Sequence, residues 1–226
     1  MKIQYLVYPG MTLLDLVGPA QIWAAFPDVE TQWVAKRTGA VPTDAHLAIV
    51  ATADYEHAWE APDIFFVPGG MEATFALLDD EPTLEFVRSR ERAGWITSVC
   101  TGSIVLGGAG LLRGYRATSH WFARDALALF GATPCRERYV IDRNRATGGG
   151  VTAGVDFGLE LYARIAGEPA TRVVQLGAEY APRPPFTSGT PEEAAPETVA
   201  AIMSAWGPRV ESVRAHIEAA ARRLAG

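Results

Sequence analysis

The stretch Ile96-Thr97-Ser98-Val99-Cys100-Thr101-Gly102-Ser103 lies near the middle of the chain. The apolar run that begins at Trp95 is typical of a short buried strand, and the small residues after Cys100 lead into a helical pattern. We therefore expect Cys100 at a strand-to-helix turn, where the N–H groups and dipole of the helix would favour a thiolate. Taken alone, a cysteine after an apolar strand is more often a small buried side chain without chemistry.

Further strand patterns alternate with helical patterns on both sides of this turn. Strands are predicted at 3–8, 32–37, 47–52 and 63–67, then as a short pair at 138–142 and 146–147. Helices are predicted after Cys100 through residues 111–112, from 120 to about 130, at 152–165 and at 170–180. This alternation predicts an α/β fold, a doubly wound, mostly parallel sheet with helices on both faces. We expect one domain over residues 1–226, with a C-terminal helical extension from about residue 186.

The composition narrows the class of protein. The chain of 226 residues carries 20 Lys and Arg against 26 Asp and Glu, a net charge of −6, which argues against nucleic-acid binding. No polybasic run and no apolar run of about 18 residues appears, so we expect no membrane partner. Two cysteines and no recognisable signal peptide favour a cytoplasmic protein without a disulfide framework.

Three predicted turns meet at the carboxyl edge of the sheet, where such folds bind ligands. They carry Asp15, the Gly69-Gly70 pair and Cys100-Thr101. Cys100 would be the nucleophile, Asp15 would donate or accept a proton, and the N–H groups of Thr101 and Gly70 would stabilise negative charge. Within reach of each other, Asp15 and Cys100 would titrate as a pair. The alternative for Asp15 is an exposed position on the polar face of a helix.

Three other side chains are candidates for the substrate pocket: Phe75, His120 and Trp121. His120 could be a base or a substrate contact, or alternatively a helix-start residue hydrogen-bonded in the core. Phe75 and Trp121 could form an apolar wall. No group of His, Cys, Asp and Glu has the spacing of metal ligands, so we expect no metal.

Several motifs carry a family resemblance that covers nearly the whole chain. "FFVPGG", "SVCTGS", "TSHW" and "GGGVTAGVDFGLEL" resemble the ThiJ/PfpI group of the class I glutamine-amidotransferase-like superfamily. "LLDLVGP" near the start and "PRPPFTSGTPE" after the core resemble the isonitrile hydratases in this group. The resemblance implies a flavodoxin-like sandwich, a homodimer, a catalytic cysteine at Cys100, an acidic partner at Asp15 and a contributing threonine at Thr101.

The resemblance implies hydration of a small apolar isonitrile to an N-substituted formamide without a cofactor. Other subgroups differ at two positions: PfpI-type proteases and several deglycases carry histidine after the cysteine, where this chain has Thr101, and the glyoxalase and chaperone relatives usually carry glutamate in place of Asp15. Two alternatives stay open. One is a cofactor-free glyoxalase or deglycase acting on α-oxoaldehydes, and the other is a non-catalytic redox sensor or chaperone whose Cys100 oxidises.

Overall fold

Strands and helices alternate along residues 1–225, the part of the chain that the computed structural model describes. The strands are β1 (Lys2–Leu6), β2 (Glu30–Val34), β3 (Gly39–Pro42), β4 (Ala48–Ala51), β5 (Ile64–Val67), β6 (Trp95–Val99), β7 (Arg116–Ala117), β8 (Thr133–Pro134), β9 (Tyr139–Asp142) and β10 (Arg145–Gly148). The helices are α1 (Leu13–Trp23), α2 (Glu72–Ala76), α3 (Glu81–Ser89), α4 (Gly102–Gly108), α5 (Ala153–Ala166), α6 (Glu168–Gly177) and α7 (Pro196–Ala225). Short 3₁₀ turns occupy Leu77–Asp79, Arg90–Arg92 and Arg124–Phe130.

The central sheet has six strands in the order β2-β1-β5-β6-β10-β9. All neighbours are parallel except β9, which pairs antiparallel with β10 at one edge. Helices α1 and α5 pack together on one face, and α2, α3, α4 and α7 cover the other. All four residues of β5 are buried, because a central parallel strand is covered on both faces. The predicted α/β class and the doubly wound arrangement are confirmed.

The fold differs locally from the predicted elements. The predicted strand at 47–52 does not join the central sheet. Its counterpart β4 pairs antiparallel with β3, which was not predicted, in a separate hairpin that leaves Leu47 and Val50 exposed. The helix after Cys100 is shorter than expected and ends at Gly108, since Gly110 adopts φ +81° and turns the chain. The predicted helix after residue 120 is the 3₁₀ turn Arg124–Phe130.

The C-terminal extension begins as irregular chain and ends as one long helix. Residues 181–195, here called the strap, contain no helix or strand. Helix α7 follows and packs on α2 and α4, burying Val213, Ile217 and Ala220. Within the described residues, no helix combines the length and the apolar character needed to cross a bilayer.

Candidate active site

Cys100 occupies the sharp turn between β6 and α4, here called the elbow, with φ +56°. A non-glycine residue rarely adopts this left-handed conformation, so the surrounding bonds must hold it. The Cys100 N–H donates to the carbonyl oxygens of Gly148 (3.2 Å) and Gly149 (2.8 Å). The Cys100 carbonyl accepts from the hydroxyls of Ser119 (3.0 Å) and Ser103 (3.2 Å). Both polar groups of the Cys100 backbone are thus fixed, and the side chain stands at the carboxyl end of β6.

Asp15 lies in the first turn of α1 and is completely buried. Its Oδ2 atom accepts a 2.9 Å hydrogen bond from the Gly69 N–H, at the end of β5. Its Oδ1 atom is buried without a hydrogen-bond partner among residues 1–225. The alternative of an exposed Asp15 on the polar face of its helix is therefore wrong. A buried carboxyl oxygen without a partner is costly to stability, which is typical of a functional group.

Gly69 brings the predicted residues together because it has no side chain. A Cβ at this position would lie 2.7 Å from Asp15 Oδ2, 2.7 Å from Thr101 N and 2.8 Å from Cys100 Cβ. Asp15, Cys100 and the Thr101 amide therefore all pack directly against Gly69, with no room for a methyl group between them. The structure brings Cys100 and Asp15, 85 positions apart in the sequence (100 − 15), to the same place.

Burial controls the protonation of this pair. It raises the pKa of Asp15 from 3.8 to about 7, against the opposing effects of the Gly69 N–H and the Cys100 side chain. Burial also raises the pKa of the Cys100 thiol well above its usual range, and the nearby Asp15 charge raises it further. The resting site therefore holds a thiol, whereas the sequence predicts a thiolate. Desolvation exceeds the stabilisation by the Thr101 N–H and by α4, which is only seven residues long.

The Thr101 hydroxyl and the Gly70 peptide are bonded to each other. Thr101 Oγ1 donates to the Gly70 carbonyl (2.9 Å) and accepts from the Gly70 N–H (3.1 Å). The predicted oxyanion donor of Gly70 is thus engaged by Thr101, whose amide and hydroxyl both lie within hydrogen-bonding reach of the Cys100 sulfur and act to lower the pKa of the thiol. Thr74 and Tyr8 extend this network: Tyr8 donates to Pro68 O (2.8 Å) and lies 2.9 Å from Thr74 Oγ1. Sequence reasoning missed both, although Tyr8 follows β1 at the carboxyl edge.

His120 and Trp121 belong to an aromatic cluster beside the elbow. The His120 ring lies 5.5 Å from Trp121, 4.9 Å from Phe122 and 5.8 Å from Trp206 of α7. Burial lowers the pKa of His120 to about 4, so the imidazole is neutral at pH 7. Its Nδ1 atom is buried and has no partner in the described chain, which does not fit a hydrogen-bonded core histidine. Trp206 was not predicted as a site residue, because it lies within the long helix α7, away from the motifs and strand ends that indicated the other residues.

Phe75 is fully buried and packs against Phe122, with ring centres 6.2 Å apart. Phe75 belongs to α2, so this helix packs against the aromatic cluster through its side chain. Among residues 1–225, no group of three or more His, Cys, Asp and Glu side chains is arranged to hold a metal ion.

Gly69→Ala is expected to lower kcat/KM by about 100-fold or more, because the new methyl group would separate Asp15 from Cys100 and the Thr101 amide. The matched control is Gly207→Ala, where a Cβ meets no atom within 4 Å. Steady-state kinetics and circular dichroism on both variants check the expectation. A folded Gly69→Ala protein with near wild-type activity would show that the close approach of Asp15, Cys100 and the Thr101 amide at Gly69 is not needed for the reaction.

Comparison with known proteins gives consistent results. The model of the DJ-1/PfpI family matches residues 1–164. The chain is 45% identical over 195 residues to the isonitrile hydratase of Pseudomonas putida, covering 86% of this chain and 85% of that protein. The crystal structure of a ThiJ/PfpI family protein from Pseudomonas syringae superposes with a TM-score of 0.92 at 44% identity, covering 97% of this chain and 90% of that one.

A more distant relative is the HTH-type transcriptional regulator CdhR of Pseudomonas aeruginosa. It is 30% identical over 72% of this chain, but the match spans only 50% of the regulator. This relative therefore shares a domain with the chain and is considerably longer.

Proposed function

Because the chain belongs to the DJ-1/PfpI family, we propose that its buried cysteine–carboxylate pair makes it an isonitrile hydratase, which adds water to R–N≡C and releases R–NH–CHO. The observation that carries this proposal is the close convergence of Asp15, Cys100 and the Thr101 amide on Gly69. The 45% identical isonitrile hydratase supports it. The reaction needs a proton and a nucleophile delivered to the same carbon atom, and this site holds both.

In the first half of the reaction, the Asp15 carboxylate removes the proton of the Cys100 thiol. The sulfur attacks the terminal isonitrile carbon, and Asp15 delivers the proton to that carbon. The product is a covalent thioimidate, R–N=CH–S–Cys100, and Asp15 is again a carboxylate. A carboxyl group with a pKa of about 7 suits this exchange, because it can accept and donate a proton near neutral pH.

In the second half, the Asp15 carboxylate removes a proton from water as the oxygen attacks the thioimidate carbon. Asp15 passes this proton to the nitrogen, which gives the tetrahedral adduct R–NH–CH(OH)–S–Cys100. As the C–S bond breaks, Asp15 takes the hydroxyl proton, R–NH–CHO is released, and Asp15 returns that proton to the sulfur. The Thr101 N–H, directed at the sulfur, stabilises the departing thiolate, which regains its proton. The Thr101 hydroxyl fixes the Gly69-Gly70 turn through its bonds to Gly70, and its side chain also favours the Cys100 thiolate.

The proposed substrate is a small isonitrile, and every step uses only proton transfer and addition, so no cofactor takes part. The family resemblance adds a homodimer to the proposal. Exposed Val173 and Leu176 on α6 are compatible with such an interface. Both cysteines are free thiols, which suits the proposed cytoplasmic setting.

Incubation of the purified protein with cyclohexyl isocyanide is expected to yield N-cyclohexylformamide, detected by mass spectrometry. Methylglyoxal, offered in parallel, is expected to remain unchanged. Consumption of methylglyoxal without hydration of the isonitrile would instead assign the cysteine to a glyoxalase or deglycase. Turnover of neither substrate, with a peroxide-dependent mass gain at Cys100, would assign it to a redox sensor. The high pKa and burial of the thiol argue against that sensor, since oxidation favours exposed thiolates.

A further inference from the structure

A chain of three hydroxyl groups ends beside the elbow. Tyr8 Oη lies 2.9 Å from Thr74 Oγ1, which in turn lies 3.1 Å from Thr101 Oγ1. Tyr8 is 3% exposed, and both threonines are completely buried. Buried hydroxyl groups need hydrogen-bond partners within the protein, so the direction of each proton depends on the acceptors around it. The reaction steps above use only the last of these groups, that of Thr101.

Two of these hydroxyl groups share one acceptor, the carbonyl oxygen of Gly70. Thr101 Oγ1 donates to this oxygen at 2.9 Å, and Thr74 Oγ1 donates to it as well. A carbonyl oxygen with one good donor is already paired, and each hydroxyl group has only one proton to give. One of the two threonine protons is therefore sufficient for the Gly70 carbonyl, and the other can bond elsewhere.

Both threonines have a second acceptor within reach. Thr74 can donate to the oxygen of Tyr8, whose own proton goes to the Pro68 carbonyl at 2.8 Å. Thr101 lies within hydrogen-bonding reach of the Cys100 sulfur, and a bond from its hydroxyl favours the thiolate. The choice that one threonine makes at the shared carbonyl thus sets what the other is free to do.

Two arrangements of the protons satisfy every hydroxyl group of the chain. In the first, Thr101 donates to Gly70, and the Thr74 proton points to the tyrosine oxygen. In the second, Thr74 donates to Gly70, and the Thr101 proton is directed at the sulfur. The two differ only by rotation about C–O bonds, so no covalent bond forms or breaks. The first suits a neutral thiol, and the second suits a thiolate, which binds a donor strongly.

We propose that Thr74 is a positioning residue for the reaction, because its donation to the Gly70 carbonyl frees the Thr101 hydroxyl to stabilise the thiolate. The inference rests on the proposed function, in which a thiolate forms before the attack on the isonitrile and again as the C–S bond breaks. Without the Thr74 hydroxyl, a Thr101 proton that turns to the sulfur leaves the buried Gly70 carbonyl without either hydroxyl donor. That loss is unfavourable, so the thiolate forms less readily.

The test compares Thr74→Val, which keeps the shape of the side chain, with Thr74→Ser, which keeps the hydroxyl group. The control is Thr83→Val in α3: Thr83 is also fully buried, and its hydroxyl lies 2.9 Å from that of Tyr55. One measurement is kcat/KM for cyclohexyl isocyanide. The other is the rate at which iodoacetamide alkylates Cys100 at pH 8, which follows the thiolate fraction and needs no isonitrile.

Thr74→Val is expected to lower both kcat/KM and the alkylation rate by about 10-fold, whereas Thr74→Ser and Thr83→Val stay near the wild type. Thr101→Val is expected to lower both quantities too. Adding Thr74→Val to Thr101→Val is expected to cause no further loss, because Thr74 acts through the Thr101 hydroxyl. A merely structural role of Thr74 would persist in this double variant. Circular dichroism establishes that the variants are folded.

The outcomes separate the inference from the proposed function. Suppose that the wild type hydrates the isonitrile. The inference is then overturned, and the proposed function stands, if Thr74→Val matches the wild type in either measurement, if Thr74→Ser shares its losses, or if the losses add in the double variant. If the wild type hydrates no isonitrile, the proposed function fails, and the role of Thr74 in the reaction fails with it.

Discussion

Cys100→Ala is expected to reduce hydration of cyclohexyl isocyanide below detection while leaving the fold intact. The proposed reaction forms a carbon–sulfur bond, and alanine supplies no atom that could replace the sulfur. Alanine removes only a buried thiol, and the bonds that fix the Cys100 backbone to Gly149 and Ser119 involve no side-chain atom of residue 100. Formamide production and the thermal unfolding midpoint are the measurements.

The matched control is Cys135→Ala. Cys135 is the other free cysteine, it is buried, and its thiol donates to the Thr133 carbonyl in β8. We expect this variant to keep wild-type turnover. Residual hydration by Cys100→Ala at a rate near that of wild type would refute covalent catalysis by this cysteine, whatever product the enzyme forms.

Asp15→Asn is expected to lower kcat/KM by about 100-fold or more and to remove an acid limb from its pH profile. In the wild type, Asp15 must be ionised to take the thiol proton. Since its pKa is about 7, kcat/KM should fall as the pH drops through about 7 and reach a plateau above it. Asparagine keeps the shape of the side chain and can still accept from the Gly69 N–H, but it does not titrate.

The control for Asp15 is Asp44→Asn. Asp44 accepts from the Leu13 N–H (3.0 Å), and its charge contributes to the raised pKa of Asp15. We expect this variant to stay active and to shift the acid limb to lower pH, because one of the charges that disfavour ionised Asp15 is gone. An unchanged acid limb in a folded, active Asp15→Asn variant would mean that another group sets it.

Asp15→Asn should also affect stability in a pH-dependent way. A carboxyl group whose pKa rises from 3.8 to about 7 on folding favours the folded state fully below pH 3.8, and this contribution is lost as the pH rises through 7. At pH 8, the ionised carboxylate costs roughly 4 kcal/mol relative to its acid form. Asparagine avoids this cost. The thermal unfolding midpoint of Asp15→Asn, measured relative to that of the wild type, should therefore rise more at pH 8 than at pH 5.

The sequence predicted the parts of the fold that depend on local pattern. The mostly apolar runs at β1, β5 and β6 identified the central strands, because a strand covered on both faces carries few polar side chains. The run at β4 looked similar, yet it forms a local hairpin with β3. Its pairing depends on a turn with His46 at φ +60°, which the apolar pattern does not reveal.

The convergence of Asp15, Cys100 and Thr101 was predictable, because each lies in the segment that follows a strand at the carboxyl edge. Their catalytic roles stay a prediction. The protonation state of the Cys100 thiol could not be predicted, since desolvation of the sulfur depends on what the whole fold packs around it. The engagement of the Gly70 N–H by Thr101 and the approach of Trp206 were equally inaccessible, because both depend on contacts between elements distant in the sequence.

The hydrogen bonds that fix the Cys100 backbone limit how the Cys100 side chain can move. Since its N–H is bonded to Gly148 and Gly149 and its carbonyl to Ser103 and Ser119, the peptide cannot swing as a hinge. What remains free is rotation about the Cα–Cβ bond, which has three staggered positions. The sulfur can therefore move between Asp15 and the bound carbon atom only by changing rotamer. Alternation between a few discrete side-chain states, with the main chain stationary, is the motion that this elbow allows.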